Sequence, residues 1–252
     1  MRTYQIVTDT NSDLPQSYVK EHGLVEVPQY YSIGDEIYEG SAGPSPSEFY
    51  RLMREGSMPK SQAVNPAVVE KTFREILDAG KDILYISFSS ALSGSCDIVR
   101  MVAKQLVEEE YPDAVIEVVD SLCVSLGEGL LVNKALAMQA QGKTLAEVRD
   151  WLVENAVHVC VKFTVDDLFH LQRGGRVSKA TAVVGSVLNL KPVLKLTPEG
   201  KLEAAGTVRG RKKSLTALVD YMAEKMPGYE ALNDMVAIVH GDCLEDAQFV
   251  AK

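Results

Sequence analysis

Residues 82–99 read "DILYISFSSALSGSCDIV", and this passage decides the architecture. The run 83–86 is unbroken apolar sequence of strand length, the signature of a strand buried on both faces. Small hydroxyl residues follow at once: Ser89, Ser90, Ser93 and Ser95 crowd around Leu92-Ser93-Gly94, and a helical periodicity then continues toward Glu110. A buried strand turning into a helix is half of a βαβ unit. The turn itself admits three readings: a nucleophile, a holder of an anionic ligand, or a simple helix cap at Ser93 or Ser95.

Outward from this stretch the first half repeats the same alternation. Residues 4–8, 24–31, 83–88 and 114–119 read as strands. Ser45-Pro46-Ser47-Glu48 has the spacing of a capping box with proline at the first helical position, and Asn65-Pro66 opens a helix in a similar way. A helix is expected over 127–140, and Thr144-Leu145-Ala146-Glu147 is a second capping box. Beyond 155 the pattern changes. "HVCVKF" (158–163) predicts a strand, 164–171 a short helix, and "RGGRVSKATAVVGSVLN" (173–189) a glycine turn feeding a helix of small residues. "PVLKLTPEGKLEAAGTV" (192–208) predicts a hairpin around Pro198-Glu199-Gly200, a helix follows to about 226, and "MVAIVH" (235–240) predicts one more strand. The expectation is an α/β protein of two domains: a Rossmann-like parallel-sheet domain over 1–155 and a mixed or antiparallel α/β domain over 156–252.

Composition narrows the function. The 252 residues are 46% hydrophobic and carry a formal charge of −9 with no long basic run, which argues against a nucleic-acid footprint. No apolar stretch approaches the roughly 18 residues that span a bilayer, and the start "MRTYQIVTDT" meets polar residues too early for a secretory signal. A cytoplasmic protein with at most transient membrane contact is therefore expected. Cys96, Cys123, Cys160 and Cys243 form no C-x-x-C pair, so they are expected to be reduced and mostly buried thiols, with neither zinc nor disulfides.

Four segments fall at strand ends: "TDTNSDLP" (8–15), "PKSQAVNP" (59–66), "FSSALSGS" (88–95) and "VVDSLCVSLGEG" (118–129). Ligands of open α/β sheets collect at such ends. Each segment taken alone is better explained by the preference of Ser, Thr, Asp and Asn for turns and caps, and their repetition at several strand ends is what points to a ligand. Ala91-Leu92-Ser93-Gly94-Ser95 lacks the first glycine of a hydrolase elbow, and none of His22, His158, His170 and His240 is marked by sequence as its base. No P-loop, complete dinucleotide fingerprint or metal-ligand spacing is present. Gly174-Gly175, between Arg173 and Arg176, fits a helix end, and with Arg209, Arg211, Lys212 and Lys213 the arginines form either a solvated face or a basic surface for an acidic or phosphate-bearing partner. A small-molecule phosphotransferase or hydrolase using the strand-end turns stays open as an alternative.

Together with "LQRGGRVS" (171–178), "GSVLNLKPVLKL" (185–196) and "TVRGRKKS" (207–214), these segments stand in the order of the DegV family, which the chain resembles over nearly its whole length. The resemblance implies a non-enzymatic carrier that encloses a long-chain fatty acid between two domains. It implies no cofactor and no metal, and a partner, the catalytic subunit of a fatty acid kinase, that phosphorylates the bound carboxylate. The family's carboxylate-holding serine falls on Ser93, beside Gly94, and its second hydroxyl, a threonine in the family, falls on Ser61. Arg176, Arg209 and Arg211 match the family's basic motifs and become kinase-docking residues. Val184, Val187, Leu188 and Leu190 become candidates for lining the acyl tail, each equally readable as core. His240 does not match the family's glycine-rich terminal histidine motif and is not assigned its role.

Overall fold

The computed structural model describes residues 2–166, 168–178 and 189–252. The chain divides into two compact units, Met1–Gly43 with Pro59–Val159, and Pro44–Met58 with Cys160–Lys252.

The first unit is built on a four-stranded parallel sheet in the order β2-β1-β6-β7, formed by β1 (Tyr4–Asp9), β2 (Val25–Val27), β6 (Asp82–Ser87) and β7 (Ile116–Asp120). Ile83, Leu84, Tyr85 and Ile86 are all fully buried, so the unbroken apolar run does mark a strand covered on both faces. On one face Val7, Ile83 and Tyr85 pack with Val69, Phe73 and Leu77 of α3 (Pro66–Asp78) and with Val99, Val102 and Leu106 of α4 (Ser95–Glu109). Side chains alternate along a strand, so Ile6, Leu84 and Ile86 face the other way. That side is covered by α5 (Leu126–Ala140) and α6 (Leu145–Asn155), which pack on β1, β6 and β7 through buried Leu131, Val132, Val148 and Leu152. Full burial of each such side chain contributes about 1.5–3 kcal/mol. Asn65 caps α3 by accepting the Ala67 N–H, and Thr144 and Glu147 complete the capping box of α6.

The expected strand over 24–31 is two strands in different sheets. Pro28 has no N–H to give a ladder, and Gln29 is held apart by Thr10 Oγ1, which accepts its N–H at 3.0 Å. After this break β3 (Tyr30–Ile33) lies between β4 (Glu36–Glu39) and β5 (Lys60–Gln62) in a small antiparallel sheet that the sequence reading missed. His158, read as a strand residue, closes a short 3-10 turn over Ala156–His158.

In the second unit β8 (Lys162–Thr164), β9 (Leu190–Leu196) and β10 (Leu202–Arg209) form an antiparallel sheet in the order β10-β9-β8, and the expected hairpin joins β9 to β10. Helices α2 (Pro46–Arg54), α7 (Phe169–Arg173), α8 (Arg211–Lys225) and α9 (Leu244–Val250) belong to this unit. Three expectations are corrected. The strand over 158–163 starts only at Lys162, and the helix over 164–171 starts only at Phe169, because Thr164 is still paired with Val193. Residues 235–240 form no strand; no strand among the described residues pairs with them, and Met235, Val236 and Val239 are exposed. The thiols are not mostly buried: Cys96 and Cys123 are, whereas Cys160 is exposed and Cys243 partly so. The expected helix of small residues falls mainly outside the described residues, as do Val184, Val187 and Leu188.

Candidate functional site

The carboxyl ends of the parallel strands are stitched together by backbone hydrogen bonds. Ser121 N–H donates to Ser87 O at 3.0 Å, and Ser89 N–H donates to Cys123 O at 3.0 Å. Ser90 N–H reaches the Asp120 carboxylate at 3.2 Å. Ser89 O then accepts the N–H groups of Leu92 and Ser93, at 3.1 and 3.2 Å, which folds the serine-rich stretch into a tight turn. Of the three readings of that turn, capping is met in part: the N-cap position of α4 is Gly94, which has no side chain, but Ser93 Oγ accepts the N–H of Ser95, the first helical residue, whereas Ser95 itself is already helical. Among the described residues, a Cβ built on Gly94 would meet no heavy atom within 4 Å, so the start of the helix is open at this position. Such an end, with its N–H groups and positive dipole, favours an anion.

Ser93, half-buried, stands at this opening. Its Oγ accepts Ser95 N–H at 3.2 Å and lies 2.9 Å from Ser95 Oγ. Ser61 is exposed on β5 opposite Tyr31. The segment that carries Ser61 is tied to the same turn, because Val64 N–H donates to the buried Ser95 Oγ at 3.2 Å. Gln29 Nε2 donates to that oxygen as well, at 3.1 Å. Sequence reasoning missed Gln29 altogether; the Pro28-Gln29 break between two strands was the available signal.

Beneath the turn lies a layer of buried polar groups. Asp9 Oδ1 accepts Asn11 N–H at 3.0 Å, and Oδ2 faces Phe88 N–H at 3.3 Å and the Tyr85 hydroxyl at 3.4 Å. Burial nevertheless outweighs these donors and pushes the Asp9 carboxyl up to about 6. Glu128, on α5, is fully buried against Thr8 and is pushed well above the carboxylate range, first by burial and then by the charge of Asp9. Asp13, Leu122 and Ser125, at the ends of β1 and β7, all take positive φ near 53°, and Ser125 donates to the Asp13 carboxylate. Non-glycine residues hold such backbone only where their surroundings dictate it.

The remaining predicted residues lie in the second unit. Arg209 is exposed on β10. Arg211 is turned toward its own fold, with Nε donating to Asp246 at 2.7 Å. Arg176 is half-buried and donates to Gly174 O. Leu190 begins β9 and is half-buried. His240 accepts Cys243 N–H in an exposed turn. Among the described residues no group of three or more His, Cys, Asp or Glu is placed to hold a metal, and no helix is long and apolar enough to cross a membrane.

Fold and site together define an α/β protein whose strand-end turns offer hydroxyls and an open helix N-terminus to an anionic group. The chain belongs to the DegV family: the family model, described as an uncharacterised protein of that family, matches residues 3–252. A DegV domain-containing protein of Clostridium perfringens is 37% identical across 100% of this chain and 86% of its own length. A solved DegV family protein from Thermus thermophilus, described by its fatty acid binding, is 34% identical with a TM-score of 0.80, over 90% of this chain and 79% of that one. The Fak B3 protein of the Streptococcus pneumoniae fatty acid kinase, solved loaded with linoleic acid, is 26% identical with a TM-score of 0.76, over 88% of this chain and 78% of that one.

Proposed function

We propose that this protein binds a long-chain fatty acid, holds its carboxylate at Ser93, Ser61 and the backbone N–H groups around Gly94, and presents it to a separate kinase for conversion to an acyl phosphate. The observation that carries this reading is the Ser93 hydroxyl beside the N-terminus of α4, which is open at Gly94. The fatty acids bound by the Thermus and Streptococcus relatives support the ligand class, and the Fak B3 relative supports the kinase. Energetics agree with a lipid. At about 0.8 kcal/mol per buried methylene, a tail of about sixteen carbons offers on the order of 10 kcal/mol before ordering and association costs. Head-group contacts then orient the ligand and satisfy a charge that is costly to bury alone. Exposed Arg209 leads the basic residues for docking the kinase, with Arg176 and Arg211 less accessible.

The alternative of a hydrolase or phosphotransferase gains no support, because Ser93 Oγ is hydrogen-bonded to Ser95 and to no base among the described residues. The test is mass spectrometry of an organic extract of the purified protein, followed by ATP and a fatty acid kinase subunit. Co-purified fatty acid and acyl phosphate only when both proteins are present are the expected results. Absence of lipid together with no uptake of added oleate overturns the reading, and turnover without the kinase overturns the carrier role.

A further inference from the structure

Ser95 was set aside by sequence as a turn residue, but its hydrogen bonds have a fixed direction. Its Oγ accepts from two groups that can only donate, Val64 N–H at 3.2 Å and Gln29 Nε2 at 3.1 Å. A hydroxyl has two acceptor positions and one hydrogen. With both acceptor positions filled, the Ser95 hydrogen goes to Ser93 Oγ, 2.9 Å away. Ser93 Oγ also accepts Ser95 N–H at 3.2 Å, so both of its acceptor positions are filled in turn. Its own hydrogen has no acceptor among the described residues and is left for whatever occupies the open end of α4.

We propose that Gln29 and Ser95 are positioning residues that make Ser93 an obligate hydrogen-bond donor, so that the site selects head groups that accept, above all an ionised carboxylate, over head groups that must donate. This rests on the reading that Ser93 meets the ligand head group. The two residues do not touch ligand; they remove the alternative in which the Ser93 hydroxyl turns inward and donates to Ser95. In Gln29→Met the Ser95 oxygen regains a vacant acceptor position, and in Ser95→Ala the donor to Ser93 disappears.

The experiment titrates delipidated wild type, Gln29→Met and Ser95→Ala with oleate, oleyl alcohol and oleylamine at pH 7.5. Wild type is expected to prefer oleate to the alcohol and to reject the amine, whose ammonium group only donates. Both variants are expected to lose roughly tenfold in oleate affinity, the size of a charge-assisted hydrogen bond weakened, with alcohol affinity unchanged. A merely structural lesion lowers oleate and alcohol affinity together. Folded variants that keep the wild-type ratio of oleate to alcohol overturn the relay, as does wild type that binds oleylamine as well as oleate; this last measurement needs no variant to fold. Failure of wild type to bind oleate at all instead removes the fatty-acid reading.

Discussion

Glu128 is the residue whose protonation burial decides. Thr8 Oγ1 donates to Ile86 O at 3.0 Å and to Glu128 Oε1 at 2.7 Å, but it has a single hydrogen to share. Thr8 therefore offsets little of the cost of a charge at this position. Burial favours the neutral form and pushes the carboxyl well above its ordinary range. A carboxyl that keeps its proton in the fold but loses it on unfolding contributes stability below the unfolded range, about pH 4, and loses that contribution as pH rises. Glu128→Gln, which offers an N–H to Thr8 and does not titrate, is therefore expected to raise the melting temperature at pH 8 and leave it nearly unchanged at pH 4. Equal effects at both values contradict the assignment. Asp9 acts in the same direction over a narrower window: its contribution is full below 3.8 and is lost as pH rises through about 6, a swing of about 3 kcal/mol. Wild type is accordingly less stable at pH 7 than at pH 4 as far as these two groups govern it.

At the scale of elements, what was legible in the sequence was what is decided locally. Asn65 and Thr144 announce their helices because a cap is a contact between residues two or three positions apart. The buried strand at 83–86 was legible because burial on both faces leaves no polar position. The split at Pro28-Gln29 and the three-stranded antiparallel sheet were not, since β5 reaches β3 across a long stretch of intervening chain. Residues 235–240 failed for the converse reason: an apolar β-branched run states a preference, and a strand also needs a partner. Gly129 is a close approach that only the fold reveals. A Cβ there would lie 2.9 Å from Ser12 O and 3.1 Å from Leu14 Cδ2, so glycine lets α5 lie against the turn that follows β1. Gly129→Ala is expected to destabilise the protein by about 1–3 kcal/mol in urea unfolding, because the obstructing atom is backbone and cannot rotate away. A change under about 0.5 kcal/mol would mean that the helix shifts freely.

For the whole molecule, ordered motifs were informative about family and about Ser93, but the sequence could not say which of the four hydroxyls at 89–95 points outward, because that depends on Gln29 and Val64 arriving from other strands and loops. Binding gives this arrangement a global readout. A ligand that binds only the folded protein stabilises it by RT ln(1 + [L]/Kd), about 2.7 kcal/mol at a hundredfold excess over Kd. Delipidated protein is thus expected to melt several degrees higher in oleate. Ser93→Ala removes a donor to a charged head group, so it is expected to need roughly tenfold more oleate for the same shift. Its melting temperature without ligand should stay near that of wild type, since the Ser93 side chain is half-buried and only the Ser95 contacts are lost. The tail contributes equally in both proteins, and a neutral hydroxyl gains less than a carboxylate from the Ser93 donor, so the response to oleyl alcohol is expected to fall less than the response to oleate. If Ser93→Ala responds to oleate as wild type does, the head group is held elsewhere, and the open end of α4 is not where the carboxylate sits.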